Sequence, residues 1–227
     1  MSSIDQSRTS LRKLLQKWAI PLDSRPAELI VTYLSLIEKW NAKVNLTGSS
    51  DWESIGFLFE EAIWASQFYG KNISRHLDIG SGAGFPAIIL KILNPLVTLE
   101  LVESREKRAV FLETVLAELH LKNAKVSNCR IEQYLHNCTK GSWDCISWKG
   151  IKLSSECLQL LKNICEANSQ LWMFHGNMLA VANPEDMKKL FDMRQCERFP
   201  GKISWFLSVF HVKQVNNTVS SQTLCGD

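Results

Sequence analysis

The residues whose types and spacing could do chemistry most directly lie between Leu77 and Pro86, in the order Leu-Asp-Ile-Gly-Ser-Gly-Ala-Gly-Phe-Pro. An apolar run leads in, glycines stand at 80, 82 and 84, and a proline and a second apolar run follow, the pattern of a strand that turns tightly into a helix. Backbone without a Cβ can approach a ligand where any other residue would collide with it. Pro86 suits the first turn of a helix, where its missing N–H costs nothing. Such a strand, turn and helix hold an adenosine-bearing cofactor, and the details narrow which one. The spacing is G-x-G-x-G, whereas a dinucleotide fingerprint needs G-x-G-x-x-G to rest a pyrophosphate on the helix N-terminus. Asp78, two residues before Gly80, would repel a pyrophosphate but accept hydrogen bonds from an ammonium. Both features favour S-adenosylmethionine over NAD. About 20 residues further on, after the run Val97-Thr98-Leu99-Glu100-Leu101-Val102, Glu103 stands where doubly wound folds keep a carboxylate for ribose hydroxyls.

The elements that must position these groups can be read from periodicity. Residues 8–18 carry Leu11, Leu14, Leu15 and Trp18 on one helical face and Arg12, Lys13 and Lys17 on the other. A second helix over 27–40 repeats the pattern through Leu29, Ile30, Tyr33, Leu34, Ile37 and Trp40, and a third covers 52–69. These three form a helical cap over residues 1–70, with Trp18, Trp40, Trp52 and Trp64 read as core. From Leu77 the rhythm becomes strand and helix in turn: 76–80, 86–93, 97–102, 105–120, 124–128, then a strand over 143–147. A helix at 153–166, a strand at 170–174, a helix at 184–193 and a strand at 203–213 complete the pattern. Alternation of this kind predicts an α/β, Rossmann-like domain over 71–213, built on a parallel sheet with right-handed crossovers. The Asn-, Ser- and Thr-rich tail, 214–227, is expected to be loose.

Composition bounds the rest. At 227 residues one large α/β domain with an appendage fits, and with it one site. Lys and Arg total 26 against 23 acidic residues, a formal charge of +3, which permits a nucleic-acid partner without demanding one, so any basic footprint must be local. The seven cysteines include no C-x-x-C pair, which argues against both a disulfide framework and a zinc site; no metal is expected. The N-terminus lacks a signal-peptide core and no apolar run approaches the roughly 20 residues of a membrane span. A cytoplasmic monomer without a membrane partner is the expectation.

With these pieces in view, the chain resembles the RsmG (GidB) family, bacterial class I methyltransferases that use S-adenosylmethionine to methylate N7 of a guanine in 16S ribosomal RNA of the small subunit. Three stretches carry the likeness: Glu38-Lys39-Trp40-Asn41-Ala42-Lys43-Val44-Asn45-Leu46-Thr47; the loop ending Ala83-Gly84-Phe85-Pro86; and Glu103-Ser104, Lys107-Arg108, Phe111-Leu112 through to Arg130-Ile131-Glu132. The resemblance implies that Gly80, Ser81, Gly82, Gly84 and Phe85 wrap the methionine part of the cofactor, that Glu103 holds the ribose, and that Arg130 and Ile131 lie near the adenine, with Arg130 close enough to the reaction centre to meet RNA. It departs from the family's pattern at four places. Ser147-Trp148-Lys149-Gly150 replaces Ser/Ala-Arg-Ala, Phe174-His175-Gly176 replaces Leu-Lys-Gly, Gly56 to Glu61 replaces an Arg-His-x-x-Asp-Ser motif, and Trp205 occupies the neighbourhood of an arginine near the last strand.

Guanine N7 has a free lone pair and loses no proton on alkylation, so such an enzyme needs alignment and polar positioning rather than a strong base. Arg130 and Lys149 are the candidate catalytic residues, positioning phosphate or guanine O6; the alternatives are a surface ion pair for Arg130 and a solvated strand end for Lys149. His175 either stands in for the family's lysine or is a satisfied polar residue. Trp148 either stacks on a flipped base or packs under the C-terminal lobe. Lys39, Lys43, Arg105, Lys107 and Arg108 either supply a phosphate-binding rim or are a solvated face. Beside the methyltransferase reading stand a degenerate relative that binds RNA or ribosome without that activity, and a methyltransferase re-targeted to another, smaller substrate.

Overall fold

The computed structural model describes residues 3–49, 51–176, 184–200, 202 and 205–213. Three helices come first: α1 (Ser3–Lys17), α2 (Arg25–Val44) and α3 (Trp52–Ala65), the last followed by a 3₁₀ turn at Ser66–Phe68. The ends of α2 are chemically marked. The Ser24 side chain accepts from the Ala27 N–H at 3.3 Å, Pro26 sits in the first turn, and Asn45 closes the far end in the left-handed region at φ 48°.

The strand and helix alternation follows as β1 (Arg75–Ile79), α4 (Ala87–Leu93), β2 (Thr98–Val102), α5 (Glu106–Glu118), β3 (Ala124–Ser127), α6 (Ile131–His136), β4 (Cys145–Lys149), α7 (Ser155–Ile164), β5 (Gln170–His175), α8 (Pro184–Leu190), β6 (Phe191–Arg198) and β7 (Phe206–Val212). The seven strands form one sheet in the order β3-β2-β1-β4-β5-β7-β6. The first five run parallel, while β7 lies antiparallel to β5 and β6 antiparallel to β7. Strand order reverses between β1 and β4, which opens a crevice at the carboxyl ends of the strands where doubly wound folds bind ligands.

Three expectations need correction. The sheet is mixed rather than parallel, because β7 runs antiparallel to both β5 and β6 at one edge. The segment predicted as one helix over 184–193 is helix only to Leu190, and Phe191–Arg198 is a strand. Its composition, with Asp192, Arg194, Glu197 and Arg198, hides it because it is the outermost strand and mostly exposed, so charges blunt the edge and remove the alternation a half-buried strand would show. The short helix α6 was likewise not anticipated. The tail predicted to be loose, 214–227, lies outside the described residues.

One core cluster unites the helical cap with α4, α5 and β2 through Leu15, Ile30, Ile37, Phe59, Ile88 and Phe111. Tyr33 fastens the two parts more specifically: its hydroxyl donates to the Ala83 carbonyl of the glycine turn at 2.5 Å. Trp64 is buried, and Trp18, Trp40 and Trp52 pack half-buried against the core. On the opposite face, Leu77, Ile146, Trp148 and Leu171 pack against α7 and α8. Trp148 is 1 % exposed, so its role is packing; stacking on a substrate base is excluded by burial. Among the described residues no helix is long and apolar enough to cross a membrane.

Candidate cofactor and acceptor site

β1 ends in the middle of the sheet and delivers Asp78, then the turn. Gly80, Gly82 and Gly84 all have positive φ, and the turn is pinned by Gly80 and Ser81 N–H groups donating to the Val102 carbonyl and by Gly84 N–H donating to Ser81. The glycines do different jobs. At Gly82 a Cβ would meet nothing nearer than 3.7 Å, so this position faces open space that a ligand can fill. At Gly84 a Cβ would stand 2.6 Å from Ile88 and 3.0 Å from the Tyr33 hydroxyl, so Gly84 permits close packing of turn, α2 and α4. Phe85 is buried between Tyr33 and Phe59, with ring centroids 5.3 and 5.0 Å away, so its side chain belongs to the core.

Two buried carboxylates flank the turn. Glu103 accepts from the Gly82 N–H and the Arg105 N–H, each at 2.8 Å, which spends one lone pair on each oxygen and leaves the others for hydroxyl donors. Asp78 is 2 % exposed, and Ser147 donates to its Oδ1 at 2.5 Å. Burial pushes its pKa up to about 7; the Ser147 and Ser81 hydroxyls lower it only in part, Glu103 raises it further and Lys149 opposes that. Gly80, Val102, Cys129, Arg130, Ile131 and Ile151 line a pocket of about 200 Å³ beside Glu103, at the ends of β1, β2 and β3. The donor set fits S-adenosylmethionine: an open glycine, a carboxylate at Asp78 for an ammonium, a second at Glu103 for hydroxyls, and an apolar pocket walled by Ile131 and Ile151 for a base.

Arg130 and Lys149 are not brought together. They follow β3 and end β4, three strand spacings apart, about 14 Å before side-chain reach is counted. Arg130 is exposed at the rim of the small pocket and has no ion pair among the described residues. Lys149 turns inward instead. Its ammonium is bonded to Glu61 of α3, a carboxylate with no exposure, and lies 5.5 and 5.4 Å from the ring centroids of Phe57 and Trp205. The Trp205 indole N–H donates to the other oxygen of Glu61. Phe57, Glu61, Lys149 and Trp205, all drawn from segments that depart from the family's pattern, therefore meet in one cluster. Sequence reasoning noted each replacement separately and missed their contact, because it joins residues 88 and 144 positions apart.

His175 is buried, its Nε2 paired with the Ser208 hydroxyl at 2.9 Å, and burial lowers its pKa, so it is a neutral sheet residue rather than a replacement cation. The five rim residues fare differently. Lys39, Lys43, Arg105 and Lys107 are exposed and Arg108 half-buried, and none has an ion pair among the described residues. Arg108 leans over the turn, its Nη1 3.7 Å from where a Gly82 Cβ would stand, and its Nη2 reaches the Asn45 carbonyl at 3.4 Å. A larger cleft, about 500 Å³, lies between α1, α3, Phe199, Pro200 and Lys202, with Phe57 on its wall. Among the described residues no cluster of His, Cys, Asp and Glu has the makings of a metal site, and the six described cysteines are free.

Solved structures share this architecture: a MtNAS mutant in complex with S-adenosylmethionine (TM-score 0.59, 14 % identity, 82 % of this chain and 75 % of that one) and a SAM-dependent methyltransferase from Aquifex aeolicus (0.56, 16 %, 79 % and 98 %). The chain is 38 % identical over 123 residues to ribosomal RNA small subunit methyltransferase G of Roseiflexus castenholzii, covering 54 % of this chain and 53 % of that protein. It is 34 % identical over 158 residues to the protein of the same name from a Staphylococcus epidermidis strain, covering 67 % and 66 %. The matched stretches thus span from about half to just under two thirds of those relatives. The family model for GidB, rRNA small subunit methyltransferase G, matches residues 27–198, and the chain belongs to that family.

Proposed function

We propose that this protein transfers a methyl group from S-adenosylmethionine to N7 of a guanine in small-subunit ribosomal RNA. One observation carries the reading: Gly82 has an open face beside the Arg108 guanidinium, its N–H rests on the buried Glu103 carboxylate, the buried Asp78 stands four residues before it at the end of β1, and Arg108 has no ion pair among the described residues. When bound, the cofactor supplies an electrophilic methyl group. Asp78 holds its ammonium, Glu103 its ribose hydroxyls, and Gly80, Ser81 and Gly82 give the backbone room around the methionine part; Arg130 and Ile131 border the adenine. Lys39, Lys43, Arg105, Lys107 and Arg108 take RNA phosphates, which fixes the strand without reading sequence. N7 is alkylated without losing a proton, so alignment and desolvation suffice.

The Lys149–Glu61 pair favours a second reading, a relative that binds RNA or the small subunit without that activity, because a cation at the acceptor side is neutralised from within. Labelled methyl transfer to small subunits and to their naked RNA separates the two. Transfer that Arg108→Ala weakens chiefly through KM, with the deficit shrinking as salt rises, supports the enzyme; cofactor and RNA binding without transfer supports the second reading.

A further inference from the structure

Three buried side chains form a hydrogen-bonded line beneath the glycine turn. His76 and Asp78 are two apart on β1 and so share one face of the sheet, and Ser147 is the β4 residue in direct register with Asp78. Ser147 donates to Asp78 Oδ1 at 2.5 Å, and His76 Nε2 lies 2.8 Å from the same hydroxyl oxygen. A hydroxyl has one proton, so with Ser147 donating to Asp78 the histidine must donate to Ser147. His76 is therefore protonated on Nε2, and burial keeps the ring neutral. Its 1 % exposure explains why: burial depresses its pKa to about 3.

Among the described residues the line ends on a carboxyl without a counter-charge of its own. The groups that face or act on Asp78 are His76 on its own strand, Ser147, Cys145 and Lys149 on β4, Ser81 in the turn, Glu103 beyond β2, Tyr33 of α2 and Tyr69 after the 3₁₀ turn. Lys149 is the one cation in that set, and Glu61 already holds it. With Oδ1 turned toward Ser147, Oδ2 is left for a proton, and then for an ammonium.

We propose that His76 and Ser147 are positioning residues that fix the Asp78 carboxyl for the cofactor's ammonium, and that ammonium capture expels one proton from Asp78 to solvent. This rests on the reading that S-adenosylmethionine binds at the turn. The balance is simple: a neutral carboxyl and an ammonium become a carboxylate–ammonium pair plus a proton, with no other bond made or broken. Burial, which pushes Asp78 up to about 7, makes this proton available near neutral pH.

The test is calorimetry of the full chain with S-adenosylhomocysteine, which carries the same ammonium, between pH 5.5 and 8 in buffers of low and high ionisation enthalpy. The proposal expects affinity to rise by up to about tenfold per pH unit below pH 7 and then level off. It also expects a buffer-dependent heat, reporting up to one proton released, on the acidic side. Ser147→Ala and His76→Phe should move the midpoint upward, because each removes a donor from the line, and Ser147→Thr should restore it. A wild-type affinity that is flat across this range, with heat independent of buffer, overturns the proposal while leaving cofactor binding intact. No binding at any pH overturns the functional reading as well.

Discussion

The Glu61–Lys149 pair allows the interior electrostatics to be tested by a double-mutant cycle. Glu61 has no exposed side-chain surface and Lys149 only 15 %. Replacing Lys149 with Met leaves a buried carboxylate whose remaining donor among the described residues is the Trp205 indole N–H. Stranding one member of a buried pair costs about 3–5 kcal/mol. With a urea slope of about 2 kcal/mol/M, the unfolding midpoint should fall by roughly 1.5–2.5 M. Glu61→Gln should cost less, about 1–3 kcal/mol, because Gln still accepts from Trp205 and the Lys149 ammonium keeps the Phe57 and Trp205 rings, 5.5 and 5.4 Å away, each contributing about 0.5–2 kcal/mol. The double variant buries a neutral amide beside a thioether and should be little worse than Glu61→Gln alone. The cycle then closes with a coupling of about 2–4 kcal/mol. Urea titrations followed by far-UV circular dichroism measure all four corners. Additivity within about 0.5 kcal/mol, or a Lys149→Met cost below about 1 kcal/mol, would refute the reasoning.

Three further outcomes follow from the same geometry. Gly84→Ala must place a Cβ 2.6 Å from Ile88 at φ +92°, so it should lose about 2–4 kcal/mol in thermal unfolding, whereas Gly82→Ala, with no contact under 3.7 Å, should lose about 1–2 kcal/mol. Calorimetry should show the reverse ranking for cofactor affinity, with Gly82→Ala the more damaging by about tenfold or more. The third outcome concerns pH. Folded Asp78 keeps a proton between its ordinary 3.8 and about 7, so its contribution to stability falls as pH rises through that window; folded His76, at about 3 against an ordinary 6.5, loses stability as pH falls through 6.5. The two slopes oppose one another in the wild type. His76→Phe should expose the Asp78 slope, so that the variant's melting temperature declines from pH 4.5 to 7, and a variant profile parallel to the wild type's would contradict the assignment.

The site's cofactor half was legible because it is local: Asp78, the three glycines and Glu103 lie within 26 residues, and strand periodicity alone places them at strand ends. Even there the sequence treated the glycines alike, while the structure separates Gly82, open to a ligand, from Gly84, which lets Tyr33 and Ile88 close on the turn. The acceptor half was legible only as a set of replacements. Nothing in the spacing of Glu61, Lys149 and Trp205 reveals that α3, β4 and the segment before β7 converge, so Lys149 read as a substrate cation when its partner is internal. His76 was passed over because one polar residue in a strand is an ordinary sight; its meaning comes from the register that sets Ser147 opposite Asp78. The edge strand β6 escaped for the opposite reason, since its charged, exposed sequence carries no alternation to read.

The most direct test of the central claim is to incubate the protein with S-adenosylmethionine and small ribosomal subunits from cells lacking this gene, then digest the 16S RNA and identify modified nucleosides by mass spectrometry. The account predicts N7-methylguanosine at a single position, abolished by Asp78→Asn. Absence of that nucleoside from protein that binds the cofactor, or a methyl group on a different atom, would contradict it.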